Sequence, residues 1–227
     1  MPDRDYIFKG ITGSVAYGLD TEDSDVDRKG IFVFRTEEIF GLKTPDETVT
    51  SSSPDFQGHE IGKFFRLALG CNPNLIELMF LPQNCVELED SVFTFIRANR
   101  TKFLSEGAVR AAYGGYARQQ LSRIERRMSV DGETASETDK RVKKHARHCF
   151  RLFDQGAQLL RDGVMDVRVT KEKREELFAL GDVPFPRLSE MFLEKDAEFK
   201  AIPSNLPDSP DSEWVNELLV EIRKMRV

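Results

Sequence analysis

The segment Gly13-Ser14-Val15-Ala16-Tyr17-Gly18-Leu19-Asp20-Thr21-Glu22-Asp23-Ser24-Asp25-Val26-Asp27 concentrates the residues best suited to chemistry. Asp25 and Asp27 stand at i and i+2, and alternate side chains of an extended chain point to one face. Two adjacent carboxylates repel, so both stay ionised only beside a cation. A hard divalent ion meets this demand, because Mg²⁺ prefers oxygen ligands and is commonly completed by substrate phosphates. Upstream, Gly13-Ser14 falls where a strand gives way to a turn, and the backbone N–H groups and serine hydroxyl there can cradle an anion. An anion cradle beside an acid pair is what a nucleoside triphosphate bound with Mg²⁺ requires. The same residues also suit an acidic surface turn, since Asp and Ser are common turn formers.

Other chemistries fail on spacing. Read as a calcium loop from Asp23, the segment has Arg28 where glycine is needed and Phe34 where glutamate is needed. The chain contains neither the G-x-x-x-x-G-K-[ST] phosphate loop nor a G-x-G-x-x-G dinucleotide fingerprint. Cys71, Cys85 and Cys149 form an odd set without a C-x-x-C pair, so they read as small buried hydrophobes rather than a disulfide framework or a zinc site.

The elements that must position the acids are mixed α/β in the first third. Tyr6 to Ile11 reads as a short buried strand, Val15-Ala16-Tyr17 as a helical turn ending at Gly18, and Asp20 to Ser24 as a loop. Val26 to Phe34 reads as the next strand, its apolar end suited to cover on both faces. Residues 43–58 are polar and resist assignment. From about Glu60 a helix is predicted with Ile61, Phe64, Phe65, Ala68 and Leu69 at helical spacing, stopped by Asn72-Pro73-Asn74. A second short helix carries Leu75 to Phe80 and closes at Pro82.

Beyond residue 90 the pattern is helical. One candidate spans 107–128, with Gly114-Gly115 expected to bend or split it. Residues 130–138 read as an exposed loop. Over 139–161, Val142, Ala146, Cys149, Phe153, Ala157 and Leu160 form an apolar stripe. Arg141, Lys144, His148 and Arg151 fall on the opposite face, expected to meet water or a cleft with a nucleotide or acceptor phosphate as partner. Pro-bearing connections follow residue 181, with a last helix around 213–226. The boundary between an α/β part, 1–100, and a helical part, 101–227, is placed near residue 100.

The 227 residues carry 33 Lys and Arg against 39 Asp and Glu, with 40% hydrophobic residues, an ordinary soluble composition large enough for a real core. Between residues 97 and 151, however, 14 basic residues meet 6 acidic ones in a chain of net charge −6. A basic block inside an acidic protein suggests a surface for a polyanion such as a nucleic-acid backbone, or else a solvated helical face. No run approaches the ~18 apolar residues of a membrane span, and the N-terminus lacks the pattern of a signal peptide. The expected setting is cytoplasmic.

The string Gly-Ser-x-Ala-Tyr-Gly-x-x-Thr-x-x-Ser-Asp-x-Asp from Gly13 to Asp27, followed by Lys29-Gly30-Ile31, resembles the signature of the DNA polymerase beta-type nucleotidyltransferase superfamily. It is most similar to the bacterial and phage branch described as RNA-repair-associated. Lys63-Phe64-Phe65-Arg66-Leu67, Asn72-Pro73-Asn74-Leu75-Ile76-Glu77-Leu78, Gly114-Gly115-Tyr116-Ala117 and Lys144-His145 with His148 and Arg151 extend the resemblance to about residue 155. It implies an α/β (α+β) fold in which a polymerase-beta-like catalytic domain, with a mixed sheet and flanking helices, precedes a mainly helical region completing the cleft. It implies that Gly13 and Ser14 hold the outer phosphates, with Ser24, Lys63, Lys144, His148 and Arg151 as further nucleotide-binding residues. Asp25 and Asp27 would bind two Mg²⁺ ions, with Mn²⁺ able to substitute. A third acid on a neighbouring strand is assigned to Asp55, with Glu60 as the alternative.

The reaction so implied is attack of a hydroxyl on the α-phosphorus of a nucleoside triphosphate such as ATP, with release of pyrophosphate. An RNA 3′ end reached through the basic 97–151 region is the first acceptor. A protein or small-molecule acceptor, or a non-catalytic nucleotide-binding module, remain as alternatives.

Overall fold

The computed structural model describes residues 4–42, 45–128 and 135–225. The chain is a mixed α+β protein with a five-stranded sheet in its N-terminal part and helices through the rest. Two units form: residues 1–104 with 209–227, and residues 105–208. The first unit is thus discontinuous, and the last segment of the chain returns to it.

The first unit opens with β1 (Asp5–Ile11), α1 (Gly13–Tyr17), β2 (Arg28–Val33) and α2 (Thr36–Phe40). The polar stretch that resists assignment by pattern folds as a hairpin of β3 (Thr48–Ser52) and β4 (Asp55–Glu60). Next come α3 (Ile61–Leu69), α4 (Pro73–Ile76) continued by a 3₁₀ turn at Glu77–Phe80, β5 (Val86–Glu89) and α5 (Ser91–Ala98). The strands lie in the order β3-β4-β2-β1-β5; β2 and β4 are parallel and every other pair is antiparallel. The parallel pair requires a crossover, which α2 and β3 supply.

The core of this unit is aromatic. Phe8 stacks on Phe93 with ring centroids 4.1 Å apart, and Phe65 meets Phe103 edge-on at 5.2 Å. The helical spacing read from the sequence explains this, because α3 turns Ile61, Phe64, Phe65 and Ala68 inward. Cys71 and Cys85 are buried here, as is Cys149 in the second unit.

The second unit contains α6 (Glu106–Met128), α7 (Ala135–Asp162), α8 (Lys171–Ala179) and α9 (Phe185–Ala201). The expected break at Gly114-Gly115 does not occur, and α6 is one helix of 23 residues. Each glycine costs about 1 kcal/mol of helix propensity, but Tyr113 and Ala117 on either side are fully buried and hold the helix in register. The bond of Cys149 Sγ to the Ala117 carbonyl and the contact of His145 with Gln120 show α6 and α7 running antiparallel. Of the loop expected at 130–138, residues 129–134 lie outside the described residues, and 135–138 already belong to α7.

The final helix, α10 (Ser212–Lys224), completes the first unit. Its Trp214 stacks on Phe95 and meets Phe103, while Arg223 pairs with the buried Glu60 at 3.3 Å. No helix among the described residues is long and apolar enough to cross a membrane.

Candidate functional site

The Gly13-Ser14 turn has a defined geometry. Gly13 lies at φ +68°, in the left-handed region where a side chain is disfavoured, and α1 runs only as far as Tyr17. Gly18, at φ +69°, ends it: the Gly18 N–H donates to the Val15 carbonyl and the Leu19 N–H to the Ser14 carbonyl. This is the paired bonding of a Schellman cap. The repeated glycines of the motif thus make a single tight turn between β1 and the acid-bearing loop.

Asp25 and Asp27 precede β2 rather than lying within it, since the strand begins at Arg28. Pairing nevertheless continues to Asp27, whose carbonyl accepts the Thr12 N–H at 2.9 Å. The Asp27 carboxylate closes over the glycine: a β-carbon built on Gly13 would collide with Asp27 Oδ2. Asp25 is exposed and Asp27 half-buried.

The parallel ladder places Asp55. Arg28 pairs with Phe56, so the register carried one residue back sets Asp27 and Asp55 beside each other on adjacent chains, facing the same way. Asp55 is exposed at the first position of β4. Glu60 occupies the far end of that strand, roughly 17 Å away at ~3.3 Å per residue, and on its opposite face. It is 1% exposed, accepts the Gly62 N–H at 2.6 Å as the cap of α3, and pairs with Arg223. Of the two sequence candidates for a third acid, only Asp55 adjoins the acid pair.

Among the described residues no three His, Cys, Asp or Glu side chains converge on one point able to hold a metal ion. The Asp25–Asp27 pair still suits Mg²⁺, which takes hard oxygen donors and often only one or two protein carboxylates, the remainder coming from substrate phosphates and water. The Asp27 carboxylate lies against the Gly13 backbone, so an ion held by it would stand beside the glycine–serine turn.

Ser24 serves its own loop. Its hydroxyl accepts the Thr21 N–H at 2.9 Å and lies 3.3 Å from the Thr21 hydroxyl. Lys63 donates to the Thr48 hydroxyl at 2.5 Å, and that hydroxyl also contacts His59 Nδ1 at 3.0 Å. Thr48 pairs with His59, four positions beyond Asp55 on β4, so Lys63 is engaged toward the other end of the strand.

Lys144, His148 and Arg151 belong to the second unit, whereas Gly13, Ser14, Asp25, Asp27 and Asp55 belong to the first. Lys144 is exposed. Arg151 departs from the expectation that its helical face meets water or a cleft, for it is 2% exposed and bonded to Gln155 and to His148 Nδ1. The chain after α7 is the cause. Gln155 donates to the Asp166 carbonyl and Gln158 accepts the Asp166 N–H, so residues beyond the helix fold back over this face. Burial, followed by the charge of Arg151, holds His148 well below the usual imidazole range.

His145, unremarkable in sequence, marks where positive charge collects. Burial, then Arg127, Arg123, Lys144 and Arg141, lower its pKa to about 4. His59 is lowered to about 4 by burial and then by Lys63 and Lys29. Both imidazoles are therefore neutral in the folded protein, while the unfolded chain takes up protons below about 6.5. Stability is expected to be complete above pH 6.5 and to fall as pH drops from 6.5 toward 4. Melting temperatures across that window measure the loss, and His145→Gln is expected to flatten the profile.

Sequence reading assigns no separate roles to three further residues. The Tyr17 hydroxyl donates to Glu77 Oε2 at 2.7 Å, and Lys29 Nζ donates to Glu77 Oε1 at 3.2 Å and to the Asn74 carbonyl at 3.0 Å. The available signal is their presence in the three motif strings around Gly13, Lys29 and Asn72, which this network joins.

Residues 3–180 match the model of a family described as the RNA repair pathway DNA polymerase beta family. A protein of Enterobacteria phage T4, described as an uncharacterized 38.9 kDa protein in the nrdC-mobD intergenic region, is 31% identical over 129 residues. That stretch spans 52% of this chain and 38% of the phage protein. A crystal structure of a nucleotidyltransferase-like protein from Exiguobacterium sibiricum aligns over 99% of this chain and 75% of its own, with 11% identity and a TM-score of 0.34.

Proposed function

The chain belongs to the RNA repair pathway DNA polymerase beta family, a polymerase beta-like nucleotidyltransferase family, and on that premise we propose that it transfers a nucleoside monophosphate from a triphosphate such as ATP to a hydroxyl acceptor. The observation that carries the reading is the Asp27 carboxylate lying against the left-handed Gly13 turn, with Asp55 opening the strand that pairs in parallel with β2. Gly13 and Ser14 hold the outer phosphates through backbone N–H groups and the serine hydroxyl. Asp25 and Asp27 hold Mg²⁺, with Mn²⁺ as a substitute, and the ion supplies Lewis-acid stabilisation of phosphate charge. The acceptor oxygen attacks the α-phosphorus as the bond to the bridging oxygen breaks, and pyrophosphate leaves. Asp55 receives the acceptor's proton. Positioning by the turn is the larger part of the protein's contribution, because phosphoryl transfer leaves it little covalent work.

The acceptor proposed is an RNA 3′ end in the cytoplasm. Its support is the cationic cluster of α6 and α7, where Arg123 and Lys144 are exposed and four cations act on His145. The experiment mixes protein, Mg²⁺ and each α-labelled triphosphate with an RNA pool, a protein extract and a metabolite extract. Label is expected on RNA. Reversing charge at Arg123 and Lys144 together is expected to weaken RNA binding and to make its salt dependence shallower by about 0.7 for each phosphate no longer neutralised. Label on protein or metabolite instead overturns the RNA acceptor, and triphosphate binding with no transfer to anything leaves a non-catalytic binding module.

A further inference from the structure

A buried carboxylate is costly unless its oxygens are paired. Glu77 is 2% exposed, and each oxygen has its own donor: Tyr17 on Oε2 and Lys29 on Oε1. The donors come from segments 60 and 48 residues away in sequence. Tyr17 is the last residue of α1, four positions after Gly13 and so on the same helical face. Lys29 follows Asp27 by two residues, on the same face of the extended chain. One carboxylate therefore ties the phosphate turn to the chain that carries the acid pair.

This tie matters because α1 has five residues, too few for a helix to hold itself in water. Its placement must come from tertiary anchors, and its buried residues are Ala16 and Tyr17. Apolar packing alone would hold α1 down but would leave it able to slide. Hydrogen bonds to a buried carboxylate fix distance and direction as well. Lys29 is held in turn by the Asn74 carbonyl, so the anchor extends to α4 and the 3₁₀ turn bearing Glu77.

We infer that Glu77, through Tyr17 and Lys29, is the positioning residue that sets the Gly13-Ser14 turn against Asp27, an inference that rests on reading that turn as the triphosphate site. Amide hydrogen exchange and triphosphate binding are compared in wild type, Tyr17→Phe and Glu77→Gln. Glu89→Gln, which removes the carboxylate paired with Arg97 at 3.3 Å in the same unit, is the control. Amides of residues 13–18 are expected to exchange about tenfold faster or more in both test variants, the loss of a hydrogen bond to a charged group. Those of β1, β2 and β4 keep wild-type rates. Triphosphate binding weakens by a similar factor, and Glu89→Gln moves neither readout. Wild-type exchange at 13–18 in both variants, or acceleration there only in step with the whole sheet, overturns the inference. A wild-type protein that binds no triphosphate sinks the transfer reading alone, and the exchange comparison still decides the role of Glu77.

Discussion

Asp27→Ala is expected to lower nucleotidyl transfer by about a thousandfold or more, the scale of removing a principal electrostatic stabiliser from a transition state. The fold is expected to survive. Asp27 is tied to β1 through its carbonyl, which accepts the Thr12 N–H, and alanine keeps that carbonyl. The side chain stands at the loop end of β2, half-buried, where the loss of a negative charge near Asp25 and Asp55 relieves repulsion. Asp27→Asn keeps the shape and removes the charge, so it is expected to fail as completely, and Asp25→Ala likewise. Label transfer and melting temperature together check this. Near-wild-type transfer by Asp27→Ala would remove the metal assignment, whereas loss of transfer with collapse of the fold would leave it without support.

The acid pair is legible in the sequence because its signal is local: two carboxylates at i and i+2 after a glycine–serine turn need no knowledge of the rest of the chain. The same holds for β1, a short apolar run, and for α3 and α7, whose apolar periodicity spans several turns. The β3–β4 hairpin is not legible. Its residues are polar, β3 forms the sheet edge, and β4 takes its place through pairing with β2, some thirty residues earlier. Asp55 gains its place beside Asp27 only from that pairing.

Arg151 shows the opposite limit. A helical wheel separates an apolar stripe from a polar face but cannot show that residues near Asp166 return to cover the polar side. Glu60 is a plausible ligand in sequence because its partner Arg223 lies 163 residues away. Ser24 looks like a phosphate donor, yet the Thr21–Ser24 spacing closes a turn within the loop. Gly114-Gly115 reads as a break only while propensity is weighed without the burial of Tyr113 and Ala117.

Gly13→Ala is expected to damage stability and transfer together, and the two effects have separable causes. The first is conformational: φ of +68° costs an L-residue about 1–2 kcal/mol. The second is steric, since the new β-carbon would fall well inside contact distance of Asp27 Oδ2, and one of the two must move. With both acting, the melting temperature is expected to fall by roughly 4–8 °C, at about 2–4 °C per kcal/mol for a chain of this size. Transfer is expected to fall about a hundredfold, the usual cost of displacing a catalytic group by about 1 Å. The double variant Gly13→Ala/Asp27→Ala separates the causes, because alanine at 27 has no carboxylate to collide with. In that background the stability penalty of Gly13→Ala is expected to shrink to the conformational part, so the two substitutions are strongly non-additive. Equal penalties in both backgrounds would mean that the carboxylate does not sit over the glycine. The Gly13-Ser14 turn and the acid pair would then be neighbours in sequence without forming one site.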